Sequence, residues 1–192
     1  MNTGTAVRRP SPVGRATYRD VLDAPTHMVA EIVDGALHMQ PRPAIRHALA
    51  GSSLGDELVG PFQKGRGGPG GWWILDEPEL HFGEDVLVPD LAGWRRDRLP
   101  ELPDAAFFTQ APDWVCEVLS PSTRKLDLEM KRPVYAREGV GHLWFVDPGA
   151  RTLESFSLRS GVWSLAASAR DDELVSIPPF EAITLVLGAL WM

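Results

Sequence analysis

The sequence predicts an α+β domain in which helices flank a mixed β-sheet, and three observations support this class. Asp34-Gly35 stands between two apolar runs, which is the strongest short-range signal for a β-hairpin. The runs 86–92 and 114–119 are short, rich in β-forming residues and bounded by turn residues, so each predicts a strand with a buried face. The segments 44–58 and 124–138 have the apolar spacing or the boundary residues of helices.

The N-terminal part of the predicted domain is a short helix followed by a hairpin. Thr17 has the place of an N-cap residue with Asp20 three residues on, and Pro25 follows the helix that this pair opens. The apolar runs 28–33 and 36–39 form the two arms of the hairpin.

A helix and a second pair of strands occupy the middle of the chain. Apolar residues recur along one face of segment 44–58, and we expect this helix to end before Pro61. The members of this face are Ile45, Leu49, Leu54 and Leu58. The segment 72–82 then predicts a strand, either continuous or interrupted at Pro78, that pairs with the 86–92 run through a turn at 83–85.

The C-terminal half begins with a polar loop at 94–110 and the strand at 114–119. A Ser/Thr turn at 120–123 supplies an N-cap for the helix at 124–138, which Gly139 ends. Beyond it we expect a strand at 143–146 and a C-terminal hairpin formed by 152–158 and 162–167 around Ser160-Gly161. A helix or strand follows at 180–191.

Composition limits the class of protein. The single cysteine, Cys116, excludes an internal disulfide framework and any Cys-based zinc cluster within one chain. The N-terminal segment lacks an apolar signal core and the apolar stretch 182–192 is too short to span a bilayer, so we expect a cytoplasmic protein without membrane association. Residues 1–14 are polar and aperiodic and are expected to form a disordered arm, which leaves 15–192 as one domain.

The formal net charge of −7 at pH 7 opposes sequence-independent attraction to nucleic acid. Nucleic-acid binding therefore requires positive charge that is concentrated locally. Arg95, Arg96 and Arg98 in the polar loop could hold a phosphate backbone, although a charged loop of this kind is more often merely solvated.

Three acidic residues lie in predicted strands, where carboxylates are costly to bury. Alternation places Asp90 on the aliphatic face of 86–92, Glu117 on the face of Val115, and Glu31 on an apolar face of the first hairpin arm. An ionised carboxylate there requires a cation, a metal or several hydrogen bonds. Asp90 and Glu117 on neighbouring strands would share a cation, and a divalent metal with oxygen ligands is the natural candidate. The alternative is an ordinary ion pair of each acid with an arginine or another cation.

The helix after the second strand carries Asp127, Lys131 and Tyr135 on one face, which makes Lys131 the preferred basic partner of the acids. Pro133 disfavours helical geometry at the preceding residue and removes a backbone hydrogen bond, so it kinks or restarts this helix. Lys125 therefore remains a second candidate. A solvated Lys131 that simply pairs with Asp127 is the alternative interpretation.

The segment 51–55, Gly-Ser-Ser-Leu-Gly, matches the nucleophile elbow of serine hydrolases, with Ser53 as the nucleophile. That elbow needs a strand that runs into a sharp turn and then a helix. Here the motif lies within a predicted helix, so a serine hydrolase is kept only as a third alternative.

Several of these residues, taken in order, resemble a known family. The sequence resembles the Uma-type restriction endonucleases, a branch of the PD-(D/E)XK nuclease superfamily, from about residue 17 to residue 148. The similarity is carried by Tyr18-Arg19-Asp20, Glu31-Ile32-Val33-Asp34-Gly35, His47, Pro89-Asp90, Glu117 to Thr123, Asp127 with Lys131 and Tyr135, and Gly139 to Pro148.

The resemblance implies a restriction endonuclease-like fold in which Asp90 and Glu117 bind Mg²⁺. By the same resemblance, Glu31 is an auxiliary acid near the metal and the third candidate ligand. It also implies hydrolysis of phosphodiester bonds, in which a lysine assists the attacking water. Oxygen ligands suit Mg²⁺ or Mn²⁺ and do not suit zinc. The superfamily lysine normally lies two residues after the second acid, a position held here by Leu119, so that role passes to Lys131 on the helix.

We therefore expect a Mg²⁺-dependent DNA endonuclease, and, by analogy with nucleases that cut both strands, a homodimer. A protein of a different class, a catalytically silent nuclease-fold binding or interaction protein, is the alternative. The acidic charge balance and Pro133 favour that alternative.

Overall fold

The structure, a computed structural model, describes residues 14–191. The disordered arm expected at 1–14 therefore lies outside the described residues except for Gly14. No helix within residues 14–191 is long and apolar enough to cross a membrane.

Helices and strands are numbered in chain order. The helices are α1 (Tyr18–Leu22), α2 (Ile45–Leu58) and α3 (Arg132–Arg137), with π-helical turns at Val59–Gln63 and Leu126–Lys131 and a 3₁₀ helix at Leu187–Leu190. The strands are β1 (Met28–Val33), β2 (Ala36–Pro41), β3 (Trp72–Asp76), β4 (Leu80–Phe82), β5 (Asp85–Leu87), β6 (Leu91–Arg95), β7 (Trp114–Val118), β8 (His142–Asp147), β9 (Thr152–Arg159), β10 (Val162–Arg170), β11 (Leu174–Val175) and β12 (Leu185–Val186).

The larger sheet has the strand order β10-β9-β8-β7-β6-β3. Strands β7 and β8 are parallel, and the other neighbours in this sheet are antiparallel. A parallel pair needs a crossover connection, which the helical segment between β7 and β8 provides. The mixed sheet flanked by helices, the C-terminal hairpin β9–β10 and the α+β class are confirmed.

A second sheet has the order β2-β1-β5-β4 and contains the predicted N-terminal hairpin. Asp34 and Gly35 have φ values of 52° and 77°, which gives the two-residue turn its expected left-handed backbone. The register pairs Glu31 with His38, so Glu31 lies on the buried central strand of this sheet.

The predicted strand at 86–92 is wrong as a single element. Strand β5 belongs to the second sheet and β6 to the larger sheet, and the chain passes between them at residues 88–90. Pro89 has no N–H to donate to a ladder, which favours a break at this point. Asp90 therefore lies at the junction of the two sheets and not on a common strand face with Val86.

The predicted face and end of the 44–58 helix also need correction. Ile45 is 88% exposed, whereas the buried stripe runs through Ala50, Leu54 and Leu58 and continues to Phe62. The helix does not end before the proline. It continues through the π-helical turn Val59–Gln63, where the Lys64 amide donates to the Val59 carbonyl at 3.0 Å.

The second helical segment confirms the prediction for 124–138, including its end at Gly139, which has a φ of 76°. Its first part is the π-helical turn Leu126–Lys131, and the change to α geometry falls at Arg132, one residue before Pro133. A proline and a widened turn are two common causes of a helix bend.

Alternation along β7 separates two apolar clusters. Trp114, Cys116 and Val118 pack with the buried stripe of α2, whereas Val115 packs with the helical segment that precedes β8. Glu117 follows the alternation of Val115, so its carboxylate faces the second helical segment and Cys116 faces the opposite way.

Candidate active site

Lys131 is the centre of a buried cluster of charges. It lies on the π-helical turn, and its side chain is 3% exposed. Its Nζ atom lies 2.8 Å from Glu31 Oε1, 3.2 Å from Glu117 Oε1 and 3.3 Å from Asp127 Oδ1. One ammonium group thus joins strand β1 of the second sheet, strand β7 of the larger sheet and the helical turn itself.

Further hydrogen bonds fix the two strand carboxylates. Glu31 Oε1 accepts the Val88 amide at 2.8 Å, and Glu31 Oε2 accepts Gln40 Nε2 at 3.0 Å. Glu117 Oε1 accepts the Tyr135 hydroxyl at 2.6 Å. Donation to a carboxylate is stronger than donation between neutral groups, so these contacts orient both acids.

Asp90 lies beside this cluster, at the start of β6. The pairing of Leu91 with Cys116 brings it next to Glu117 in the register. Its Oδ2 atom accepts the Val118 amide at 2.6 Å, and its Oδ1 atom lies 3.3 Å from His47 Nε2. The Asp90 side chain is 19% exposed, which makes it more open to solvent than Glu31 or Glu117.

The charged residues line a single cleft of about 300 Å³. Its acidic members are Glu31, Glu77, Asp90, Glu117 and Asp127, and its basic members are Lys131, Arg42 and His47. All four site residues that the sequence predicts are therefore brought together. Lys125 is exposed and does not line the cleft, so the structure places Lys131, of the two candidate lysines, at the site.

Burial and neighbouring charges have opposite effects on the pKa values of Lys131 and of its three acidic partners. Burial alone would lower the pKa of Lys131, but Glu117, Glu31 and Asp127 outweigh it and hold that pKa well above the ordinary lysine value. Burial raises the pKa of Glu117, Glu31 and Asp127 despite the opposing charge of Lys131. Lys131 is consequently a permanent cation and donor at neutral pH.

His47 shows how a histidine in this cleft is tuned. Burial alone would lower its pKa, but the hydrogen bond to Asp90 and the charge of Asp90 outweigh burial, so the pKa of His47 is raised. In the sequence, His47 is one of the residues that carry the family resemblance, but no pattern gives it a role. The local sequence could not predict the contact of His47 with Asp90, because α2 and the β5–β6 junction meet only in the folded chain.

Gln40 was also missed by the sequence interpretation. Its Nε2 atom donates to Glu31, and its Oε1 atom is buried without a hydrogen-bond partner among the described residues. A signal did exist, because a two-residue turn at 34–35 fixes the register and puts positions 38 and 40 on the face of Glu31.

The donor set can be compared with the needs of a divalent metal. Within residues 14–191, the structure contains no group of three or more His, Cys, Asp or Glu side chains arranged to hold a metal ion. Both carboxylate oxygens of Glu31 already accept hydrogen bonds. Asp90 and Glu117, with the unpartnered oxygen of Gln40, are nevertheless hard oxygen donors beside one cleft, and this chemistry fits Mg²⁺ or Mn²⁺.

Two other candidate features have structural roles. Arg95 pairs with Asp97, Arg98 pairs with Asp113, and Arg96 donates to two backbone carbonyls and stacks on a tryptophan ring. The Gly-Ser-Ser-Leu-Gly motif lies inside α2, away from any strand-to-helix turn. It therefore lacks the geometry of a nucleophile elbow, and Ser53 is not positioned as one.

The fold and the cleft together define a protein of the restriction endonuclease-like class, with a mixed sheet, flanking helices and a buried Asp/Glu/Lys cluster. The chain belongs to the Uma2 family, described as "Putative restriction endonuclease", whose family model matches residues 16–188.

A solved structure supports the fold. The chain is similar to a "putative nuclease belonging to DUF820" from Anabaena variabilis, with a TM-score of 0.71 and 23% sequence identity. The match covers 92% of this chain and 97% of that chain. A comparison with curated proteins finds no match.

Proposed function

We propose that this protein is a metal-dependent DNA endonuclease that hydrolyses phosphodiester bonds. In this proposal Asp90 and Glu117 hold Mg²⁺ or Mn²⁺, Lys131 assists the attacking water, and Glu31 supports the site. The observation that carries the proposal is the convergence of these four residues on one cleft in a member of this family.

Lys131 acts as a charged donor and not as a base. Its raised pKa keeps the ammonium protonated, so it can orient a water molecule or stabilise negative charge on a phosphoryl oxygen. Glu31 and Asp127 hold its Nζ atom in position from two sides. Both acids position the lysine, because one carboxylate oxygen of each contacts its ammonium group.

Asp90 and Glu117 are the residues that would hold the metal. The Val118 amide and His47 orient Asp90, and Tyr135 orients Glu117. A divalent metal supplies Lewis-acid charge and lowers the pKa of its bound water. Glu31 has both oxygens engaged, so its contribution is made through Lys131 and through charge.

The test is Mg²⁺-dependent nicking of supercoiled plasmid DNA by Glu117→Gln and Asp90→Asn. Both substitutions keep side-chain size, and we expect nicking to fall below detection while thermal unfolding stays cooperative. Glu129→Gln is the matched control, since Glu129 is an exposed acid on the same helical turn as Lys131. Parental nicking by either site variant would refute the assignment.

The second candidate function is that of a catalytically silent binding protein. It is favoured by the lack of a three-residue metal site within residues 14–191 and by Lys131, which already neutralises part of the acidic cluster. Calorimetric titration with Mg²⁺ and Mn²⁺ beside the plasmid assay separates the two functions. Metal binding without cleavage of any substrate would favour this candidate.

The expected homodimer and the expected cytoplasmic location stay predictions. Strand β10 ends the larger sheet and carries the exposed side chains of Val162 and Leu165, which is the kind of edge that a second copy can pair with. Sedimentation equilibrium of the parent and of Leu165→Lys measures whether that edge joins two copies.

A further inference from the structure

A second cavity of about 810 Å³ adjoins the acidic cleft. The two spaces share four lining residues, Ala44, His47, Ser120 and Pro121. The two spaces are therefore adjacent, and these shared residues form their common border.

The walls of this cavity are mostly apolar. Ile45, Leu119, Pro121 and Pro148 line it. Ile45 is 88% exposed, the highest exposure among the large hydrophobic side chains of the described residues. Together these side chains form a contiguous apolar surface, which is suited to contact with a ligand that has an apolar face.

Basic residues outnumber acidic ones on the wall of this cavity, although the chain has a net charge of −7. Arg46, His47 and Arg124 line it, and Asp147 is the acidic member of the lining. Arg124 pairs with Asp147, whereas Arg46 makes no salt bridge within residues 14–191. Arg46 therefore supplies a guanidinium group that can contact a phosphate.

We infer that this cavity binds one nucleotide of the substrate strand, next to the phosphodiester bond that lies in the acidic cleft. The base packs against Ile45, Leu119 and Pro121, and the flanking phosphate lies at the guanidinium group of Arg46. The inference rests on the proposed nuclease function and adds a substrate preference to it. A base in this cavity is unstacked from its neighbours, so the protein prefers single-stranded or locally opened nucleic acid to an intact duplex.

The first experiment tests the phosphate contact without cleavage. Anisotropy of fluorescein-labelled oligothymidylate is measured in EDTA between about 0.05 and about 0.2 M salt, beside a duplex and an RNA strand of the same length. Arg46→Gln is expected to reduce the slope of log K against log salt by about 0.7. The control is Arg159→Gln, an exposed arginine of the β9–β10 hairpin that lines neither cavity, and its slope should equal that of the parent.

The second experiment tests the base contact. Ile45→Ser is expected to weaken binding of the single strand by about five- to tenfold with no change in salt slope, at the low end of what one base contact contributes. Leu174→Ser, which alters a side chain that is 67% exposed on β11 and lines neither cavity, is the control. An abasic strand of deoxyribose phosphates should bind the parent and Ile45→Ser equally.

The inference is supported if Arg46→Gln and Ile45→Ser weaken binding of the duplex less than binding of either single strand. Comparison of the DNA strand with the RNA strand shows which of the two is preferred. The inference is overturned if Arg46→Gln and Ile45→Ser bind single strands like their controls, or if only the duplex responds. Those results leave Mg²⁺-dependent nicking untouched. If Glu117→Gln nicks DNA as well as the parent does, the proposed function is refuted, whereas the binding data are unaffected. Thermal unfolding of each variant checks that the fold is intact.

Discussion

Two clusters of opposite charges in this protein look alike in sequence and differ in the fold. The Lys131 cluster holds its partners at side-chain exposures of 3% and below, whereas Arg95 and Asp97 in the polar loop are 55% and 61% exposed. Water screens the loop pairs, so each contributes little to stability. The buried cluster cannot be screened, and removal of one member leaves uncompensated charge. Burial, more than the number of charges, marks the candidate active site.

The sharpest contrast is expected from removal of one cation in each cluster. Lys131→Met leaves three buried carboxylates without their ammonium partner, so the free energy of unfolding should fall by about 3–5 kcal/mol at neutral pH. Arg98→Met breaks a surface pair with Asp113 and should cost about 0–1 kcal/mol. Urea denaturation of both variants measures the difference. Similar losses in the two variants would contradict the comparison.

The hydroxyl groups of the chain's two tyrosines offer a second contrast. Tyr135→Phe removes a 2.6 Å hydrogen bond to the buried Glu117 carboxylate, which should cost about 1.5–3 kcal/mol and also reduce nicking. Tyr18, which is only partly buried and packs edge-on against the His81 ring, is the control, and Tyr18→Phe should have a smaller effect. If urea unfolding shows equal stability losses for Tyr135→Phe and Tyr18→Phe, and Tyr135→Phe nicks DNA like the parent, the buried hydrogen bond contributes no more than the Tyr18 hydroxyl does.

The buried cluster should also show a pH dependence that the loop lacks. The pKa of Lys131 is raised above its ordinary value of 10.5, because its acidic partners outweigh burial. A raised pKa contributes stability that is complete below the unfolded-state pKa and is lost as pH rises through the folded-state pKa. The stability gap between the parent and Lys131→Met should therefore shrink above about pH 10.5. Urea unfolding from about pH 9 to about pH 12 measures this gap.

The smallest effect is expected in the loop. Arg95→Gln removes an exposed pair with Asp97, so we expect a change in unfolding free energy within about 0.5 kcal/mol and unchanged nicking. A large loss of nucleic-acid binding in this variant would instead make the loop part of the functional surface. Anisotropy titration with the oligonucleotides used for Arg46→Gln provides that measurement.

The elements defined by short-range patterns were predictable. Asp34-Gly35 and Ser160-Gly161 gave both hairpins, because left-handed backbone at two successive positions selects such residues. Strand β7 followed from its apolar run, and Lys131 followed from helical spacing with Asp127. These features depend on neighbours within one turn or one strand.

The errors arise where long-range packing decides the structure. The local pattern predicts a continuous strand through Asp90, but the chain changes sheets at Pro89. No local feature indicates which sheet each half joins. The helical spacing of Ile45 predicts a place in the core, yet its side chain is 88% exposed. Contacts such as His47 with Asp90 join elements that meet only after folding.

The opposite face of β7 carries a consequence for experiment. Cys116 is the chain's single cysteine, its side chain is buried, and burial raises the pKa of its thiol. Such a thiol is protonated and shielded from alkylating reagents in the native protein. The rate at which Cys116 is alkylated therefore measures how often the strand that holds Glu117 opens. The wild-type sequence thus provides a probe of local unfolding at the candidate active site, and no label has to be introduced.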